Sequence, residues 1–258
     1  MTPWTGRLLV ANALMYFVAG PRTPLSRALS FVPVEILSQP WTIVTYMFLH
    51  GSFTHLFFNL LVLFFFGPRL EDRLGSRTFL TLYLISGVVA ALFSFLTPFV
   101  GVVGASGAIY GVVLGYARFW PHDRIYIWAI LPVEARWLVI GGTVLSMWGI
   151  FLLVSGGAGA GGIAHHAHLG GFAGAYLYLK YREHTSPAAK FKKKVYGGTK
   201  KGRAHDRQAV ERWSSIDPES MHEVNREALR MVMDKLSKEG IGSLSQRERE
   251  FLDRFSTS

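Results

Sequence analysis

The chain has 258 residues, of which 50% are hydrophobic and 17% charged, with a net charge of +10 and no cysteine. A charged fraction below the roughly 25% of soluble domains, with long apolar runs, excludes a secreted globular domain, a disordered chain and a repeat array, and the missing cysteine excludes disulfides, thiolate metal sites and a cysteine nucleophile. The charge is segregated: residues 1–181 carry ten Lys/Arg and five Asp/Glu, residues 182–258 seventeen and twelve, as expected for membrane spans of about 20 residues followed by a water-soluble tail.

The apolar runs are Leu8–Ala19, His55–Phe66, Phe79–Leu96, Val102–Phe119, Trp137–Val154 and Ile163–Tyr181. They predict an all-α polytopic membrane protein with six transmembrane helices. The first two reach spanning length only with their flanks, and Pro21 argues that the first run stays uncleaved as a span. Arg69, Arg73, Arg77, Arg118, Arg124 and Arg136 fall in or at the edge of the even gaps between spans, and Arg7, Lys180, Arg182 and Lys190–Lys194 lie at or beyond the outer ends of the first and last. Basic residues collect on the cytoplasmic side, so both termini are expected there and spans 2, 4 and 6 begin at the outer face, as in a bacterial inner membrane. This orientation accounts for the basic charge without nucleic acid.

Polar residues inside spans are costly and mark function. Span 2 opens with His55 and Asn59, span 4 with Gly104-Ala105-Ser106-Gly107 and Tyr110, and span 6 with His165, His166 and His168. All three groups stand within about two turns of a helix start at 1.5 Å per residue, and so in one shallow layer under the outer surface. Gly107, Gly111 and Gly115 form a small-residue stripe on span 4, and Gly170 and Gly174, with Gly171 and Ala175 on the adjoining face, do the same on span 6. Such stripes let backbones approach. The expectation is that spans 4 and 6 pack through them and bring Ser106 near His168.

A serine hydroxyl attacks only when a base accepts its proton, and His168 is the candidate base. Glu71, Asp72 and Glu134 all belong to the opposite face, so a Ser-His dyad is expected rather than a triad. Tyr110 can hold the imidazole by packing. His55, Asn59 and the Ser106 backbone amide are candidate donors to an oxyanion. Five histidines also raise a metal site or a histidine-dependent metal or ion transporter. Against it, His165, His166 and His168 cannot all face one point on a helix, and His222-Glu223 does not continue as a zinc-protease motif. No metal and no cofactor are expected, and His50, His165 and His166 read as water-facing rim residues.

His55-x-x-x-Asn59, Gly104-Ala105-Ser106-Gly107-x-x-Tyr110-Gly111 and Ala167-His168-Leu169-Gly170-Gly171 together resemble the rhomboid intramembrane serine proteases. Gly67-Pro68-Arg69-Leu70-Glu71-x-x-x-Gly75-Ser76-x-x-Phe79-x-x-x-Tyr83 is similar to that family's link between its second and third helices. The resemblance covers nearly all of residues 1–181, in order and spacing. It implies a six-helix rhomboid-like bundle with an outward cavity, Ser106 as nucleophile, His168 as base and later acid, and His55, Asn59 and the Ser106 amide as oxyanion hole. Tyr110 would stack on His168, and the substrates would be transmembrane proteins cut near the outer membrane face. Phe31–His50 is similar to the family's half-embedded first loop, with Thr42 where many members have arginine. A rhomboid-like protein that binds membrane clients without cutting them is the other class, marked by loss of a dyad member; both members are present here.

Residues 1–181 are therefore expected to form the membrane domain, 182–216 a basic flexible linker and 217–258 a small soluble helical hairpin. Lys190, Lys192, Lys193 and Lys194 could meet anionic headgroups. Asp217-Pro218 reads as a helix start, with Met221, Val224, Ala228, Met231 and Val232 at helical spacing, and Ser245-Gln246-Arg247-Glu248 as a capping box before Phe251, Leu252 and Phe255. Forty residues bury little core, so the hairpin is expected to dock on itself, on a second copy or on a partner.

Overall fold

The computed structural model describes residues 1–127, 130–155, 163–186 and 208–256. The chain divides into two compact units, Met1–Tyr181 and Arg182–Ser258. The expected lipid contacts at Lys190, Lys192, Lys193 and Lys194 lie outside the described residues.

The first unit is a helical bundle. Its elements are α1 (Pro3–Ala19), α2 (Pro24–Leu29), α3 (Thr42–Thr45), α4 (Phe53–Leu74), α5 (Ser76–Phe93), α6 (Ser106–Phe119), β1 (Arg124–Ile127), β2 (Leu131–Glu134), α7 (Ala135–Val154) and α8 (His165–Thr185). Three helices among the described residues are long and apolar enough to cross a membrane: Phe53–Leu74, Ser76–Leu96 and Ala135–Val154. α7 turns Val144, Leu145, Met147, Trp148 and Phe151 outward, a surface suited to lipid.

The link between α4 and α5 closes one end of the bundle. The Glu71 carboxylate, 2% exposed, accepts from Trp4 N at 2.9 Å, Thr5 N at 2.8 Å, Thr5 Oγ1 at 2.9 Å and Ser76 Oγ at 2.7 Å. One buried charge thus satisfies the free amides at the start of α1, where a negative group is favoured, and ties α1 and α5 to α4. Gly67 meets Thr5 closely at the same place, and Gly75, at φ +80°, makes the turn into α5.

The end of the bundle around the start of α6 is held by irregular chain. Phe31 and Val102 form an isolated antiparallel bridge (Phe31 N to Val102 O 3.1 Å, Val102 N to Phe31 O 2.8 Å), and Gly104 N donates to Tyr46 O at 2.9 Å. Tyr46, Met47 and Phe31 are fully buried, with Tyr46 Oη donating to Gly87 O at 2.7 Å. Thr42 is buried as well and bonds Gln39 O at 2.6 Å, so the loop is anchored without an arginine at that position.

One expectation is corrected here. The span placed at Val102–Phe119 begins as a helix only at Ser106, because residues 102–104 are drawn into pairing with the first loop. Fourteen residues at 1.5 Å each give about 21 Å, less than the roughly 30 Å hydrocarbon layer. The gap before α7, for which the sequence suggests only a basic connection, holds an antiparallel β1–β2 ribbon in the register Arg124↔Glu134 to Ile127↔Leu131. Arg69 seats its base, pairing with Asp123 and lying 4.2 Å from the Trp120 ring centroid.

The second unit contains a helix at 208–214 (α9), α10 (Glu223–Glu239) and α11 (Gln246–Ser256). α9 falls where the sequence was read as linker. Trp213 is buried in it and donates to Asp253 Oδ1 at 2.8 Å, so α9 belongs to a three-helix core with Met221, Leu229, Ile241, Leu244 and Leu252. Asp217-Pro218 opens a single 3-10 turn, and α10 starts at Glu223. Its buried face is Leu229 with Val232, Met233 and Leu236, while Val224 and Met231 are exposed. The capping box is formed: Ser245 N donates to Glu248 Oε2 at 2.6 Å, and Glu248 N to Ser245 Oγ at 3.3 Å.

Candidate active site

Ser106 is the first residue of α6. The first amide bonded back in that helix is that of Ile109, to Ala105 O, so the N–H groups of Ser106, Gly107 and Ala108 emerge from the helix start without helical acceptors. His168, 9% exposed, comes from the first turn of α8 and sets its Nε2 3.0 Å from Ser106 Oγ. Its ring stacks on Tyr110, one turn along α6 from the serine, with centroids 4.1 Å apart and planes 14° from parallel. His168 Nδ1 has no hydrogen-bond partner among the described residues, so the imidazole is oriented by stacking and not by a carboxylate.

α4 supplies the facing wall. Ser52 caps the helix by accepting from His55 N at 3.2 Å, which fixes the first turn. A Cβ built on Gly104 would lie 2.7 Å from His55 Nε2 and 3.7 Å from Ser106 Oγ, so the imidazole and the hydroxyl flank that glycine. Asn59 is buried one turn further on and donates to His55 O at 2.7 Å. A carboxamide has two N–H donors, which leaves one for a ligand. Ser106, His168, Tyr110, His55 and Asn59 are thus drawn into one cluster from α4, α6 and α8.

The glycine stripes contribute differently from the sequence reading. Gly170 and Gly174 face α5, where an added Cβ would fall 2.8 Å from Ala90 Cα and 3.0 Å from Ser86 Cα. Gly171 meets α6 instead, against the carbonyl oxygen of Gly107. Gly107 and Gly111 press mainly on Ala90 and Ser86 of α5, and Gly115 on Leu70 and Leu82. α5 is therefore the common partner of both stripes, and α6 and α8 approach through Gly107 and Gly171. A stripe permits close approach without naming the neighbour.

The rim histidines are also corrected. His50 and His166 are buried, at 4% and 5% exposure. The His50 ring lies 5.0 Å from His55, edge to face, and His166 Nε2 is 3.3 Å from Thr97 Oγ1. His165 is half-buried against Gly149 of α7. Among the described residues no three His, Asp or Glu side chains converge as a metal site. Sequence reasoning passed over Gly104 and His50 as parts of the site. Gly104, at φ +125°, was visible only as the first glycine of Gly104-Ala105-Ser106-Gly107, and nothing local to His50 distinguished it from an exposed histidine.

The family model for the Rhomboid domain matches residues 37–183. The chain belongs to the rhomboid family. This rhomboid is similar to Rhomboid-like protease 3 of Toxoplasma gondii, 28% identical over 202 residues covering 74% of this chain and 74% of the relative. It is also similar to RHOMBOID-like protein 4 of Arabidopsis thaliana, 33% identical over 54% of this chain and 33% of the relative. A third relative is Rhomboid protein 1, mitochondrial, of Saccharomyces cerevisiae, 31% identical over 57% of this chain and 43% of the relative. The chain spans about three quarters of the first relative and less than half of the other two. Family membership and the apolar helices make it an integral membrane protein.

Proposed function

We propose that this rhomboid is an intramembrane serine protease that hydrolyses peptide bonds of transmembrane proteins near the outer membrane face through a Ser106–His168 dyad. The observation that carries this reading is the 3.0 Å contact between Ser106 Oγ and His168 Nε2 at a buried helix start. Ser106 Oγ attacks the scissile carbonyl as its proton passes to His168 Nε2. The carbonyl oxygen takes the negative charge and is met by the Ser106 N–H at the start of α6, by the His55 ring N–H and by the free N–H of Asn59, donors that gain strength where water is excluded. His168 returns the proton to the departing amine, and the acyl-serine forms. Water, deprotonated by His168, then attacks the ester and frees Ser106. Tyr110 keeps the imidazole plane fixed through both transfers. The arginine distribution supports an orientation with both termini in the cytoplasm of a bacterial inner membrane, so the cluster opens outward.

The test is labelling of the purified full chain by a serine-reactive fluorophosphonate, with cleavage of a co-reconstituted single-span reporter measured in parallel. Wild type labels and cuts, Ser106→Ala does neither, and folded His168→Ala does not cut. Asn59→Ala keeps the dyad and cuts slowly, since one oxyanion donor is worth about 2.7–4 kcal/mol. Equal labelling of wild type and Ser106→Ala removes the nucleophile assignment.

A further inference from the structure

The outward gaps of the membrane domain contain only two basic residues, Arg22 and Arg27, although basic residues otherwise collect on the cytoplasmic side. Both line a cavity of about 290 Å³, shared with Tyr16, Leu49, His50 and Val103. Arg22 has φ +66° and is the one non-glycine residue with positive φ among the described residues. An L residue holds that conformation only where its surroundings impose it, and such outliers cluster at ligand contacts. Here the turn is fixed from its far side, since Thr23 caps α2 by accepting from Ser26 N at 3.0 Å and its hydroxyl is bonded back to Ala19 O.

Two residues of the lining, His50 and Val103, neighbour the candidate site. His50, 4% exposed, has the Phe48 backbone beside it as a hydrogen-bond partner, and its ring rests on His55 at 5.0 Å. Val103 precedes Gly104, the residue flanked by His55 and Ser106. The outward gaps carry one carboxylate, Glu35, already approached by Gln39 Nε2 at 3.4 Å. The space therefore has a cationic rim, an apolar wall and a buried imidazole in its lining, and through Val103 and His50 it adjoins the candidate site. Its volume is at the small end of ligand pockets, the size for one side chain and too small for a lipid molecule.

We propose that this cavity is a recognition subsite for an acidic side chain of the substrate, resting on the reading of Ser106 as nucleophile. The guanidinium forks of Arg22 and Arg27 suit a carboxylate, the methylene stem of Glu lies along Tyr16, Leu49 and Val103, and a His50 N–H meets the deepest oxygen. Extended peptide advances about 3.3 Å per residue, so the acidic residue stands within a few positions of the scissile bond. Arg22 and Arg27 are then specificity-determining residues that select among transmembrane proteins by the charge of their outer flank.

The experiment uses the full chain as Ser106→Ala in nanodiscs, so that peptide is bound and not consumed. Fluorescent single-span peptides carry Glu, Gln or Lys at one position at a time, through five residues on either side of the cut. At one or two positions Glu peptides bind tighter than Gln peptides by about 10-fold or more, the effect of hydrogen bonds to a charged group, and Lys peptides bind weakest. Arg22→Gln with Arg27→Gln removes the Glu advantage, so that Glu and Gln peptides bind the double variant alike, and Arg22→Glu with Arg27→Glu turns the preference toward Lys. A flat series, or a Glu preference that survives the double substitution, overturns the proposal. If the arginines instead retain anionic lipid, the double variant co-purifies with less phosphatidylglycerol while Glu and Gln peptides bind alike, and the proposal fails. Selective binding by a chain whose wild type cuts nothing keeps the subsite and removes the protease reading. Cleavage of all peptides alike does the reverse.

Discussion

Gly104→Ala is the most demanding test of how the site is built. A Cβ at that position would lie 2.6 Å from His55 Cε1 and 2.7 Å from Nε2, about 1 Å inside the 3.5–4.0 Å separation of comfortable carbon contacts. The backbone is poorly placed to yield, because Gly104 N is bonded to Tyr46 O at 2.9 Å and Val102 is bridged to Phe31 on both sides. The imidazole must therefore swing away, and loss of one oxyanion donor costs about 2.7–4 kcal/mol, or 10²–10³ in kcat. The φ of +125° adds a separate cost to the folded state, on the order of 1–2 kcal/mol for an L residue with positive φ. The expected result is a loss of about two to three orders of magnitude in reporter cleavage, with a folded protein that melts a few degrees lower. Gly141→Ala in α7 is the control, since a Cβ there meets nothing within 4 Å, and it should leave both readouts unchanged. Full activity in folded Gly104→Ala would show that the His55 position is immaterial to catalysis.

Three further outcomes follow from particular contacts. Tyr110→Phe preserves the 4.1 Å stack on His168 and should keep activity, whereas Tyr110→Ala frees the ring and should lower kcat by up to about 10-fold, the range of an aromatic pair; equal losses in both would assign the hydroxyl instead. Glu71→Ala strands four donors from α1 and α5 and should destabilise the membrane domain by more than about 3 kcal/mol, given the strength of charged hydrogen bonds, read as a lower melting temperature and faster hydrogen exchange at Trp4 and Thr5; an unchanged melt refutes the tie. In the tail, the hydrogen bond from Lys235 and those from Ser245 hold the Glu248 carboxyl down at about 2, below its ordinary 4.5. A carboxylate with a depressed folded value contributes stability above its unfolded value and loses it as pH falls toward the folded one. Exchange of α11 amides in the full chain, corrected for intrinsic rates, should therefore speed up between about pH 4.5 and 2, and Glu248→Gln should flatten that dependence; an identical profile in the variant would exclude Glu248 as its source.

Much of the membrane domain was legible from local chemistry. Hydropathy reports transfer of a segment into lipid, a property of the segment itself, and so the long apolar helices and their order could be read along the chain. The polar residues that membrane cost makes conspicuous, Ser106, His168, His55, Asn59 and Tyr110, were legible for the same reason, and the Glu71 link by its spacing to Gly67, Gly75 and Ser76. What tertiary structure alone decided was where helices begin and whom they touch. α6 starts at Ser106 because Val102 pairs with Phe31 and Gly104 with Tyr46, partners more than 50 residues away that no local pattern announces. The glycines of α6 and α8 declared close approach but not that α5 is the helix both stripes pack on, since a missing Cβ carries no information about the neighbour. The burial of His50 and His166 is not legible along the chain, because burial belongs to the assembled bundle and not to the residue. The helix at 208–214 was hidden in a basic stretch, and Trp213 becomes core only when Asp253 and Leu252 fold back to cover it. Composition and spacing settled which residues could do chemistry, and long-range packing, which sets distances that sequence separation does not, decided that Ser106 and His168 stand 3.0 Å apart.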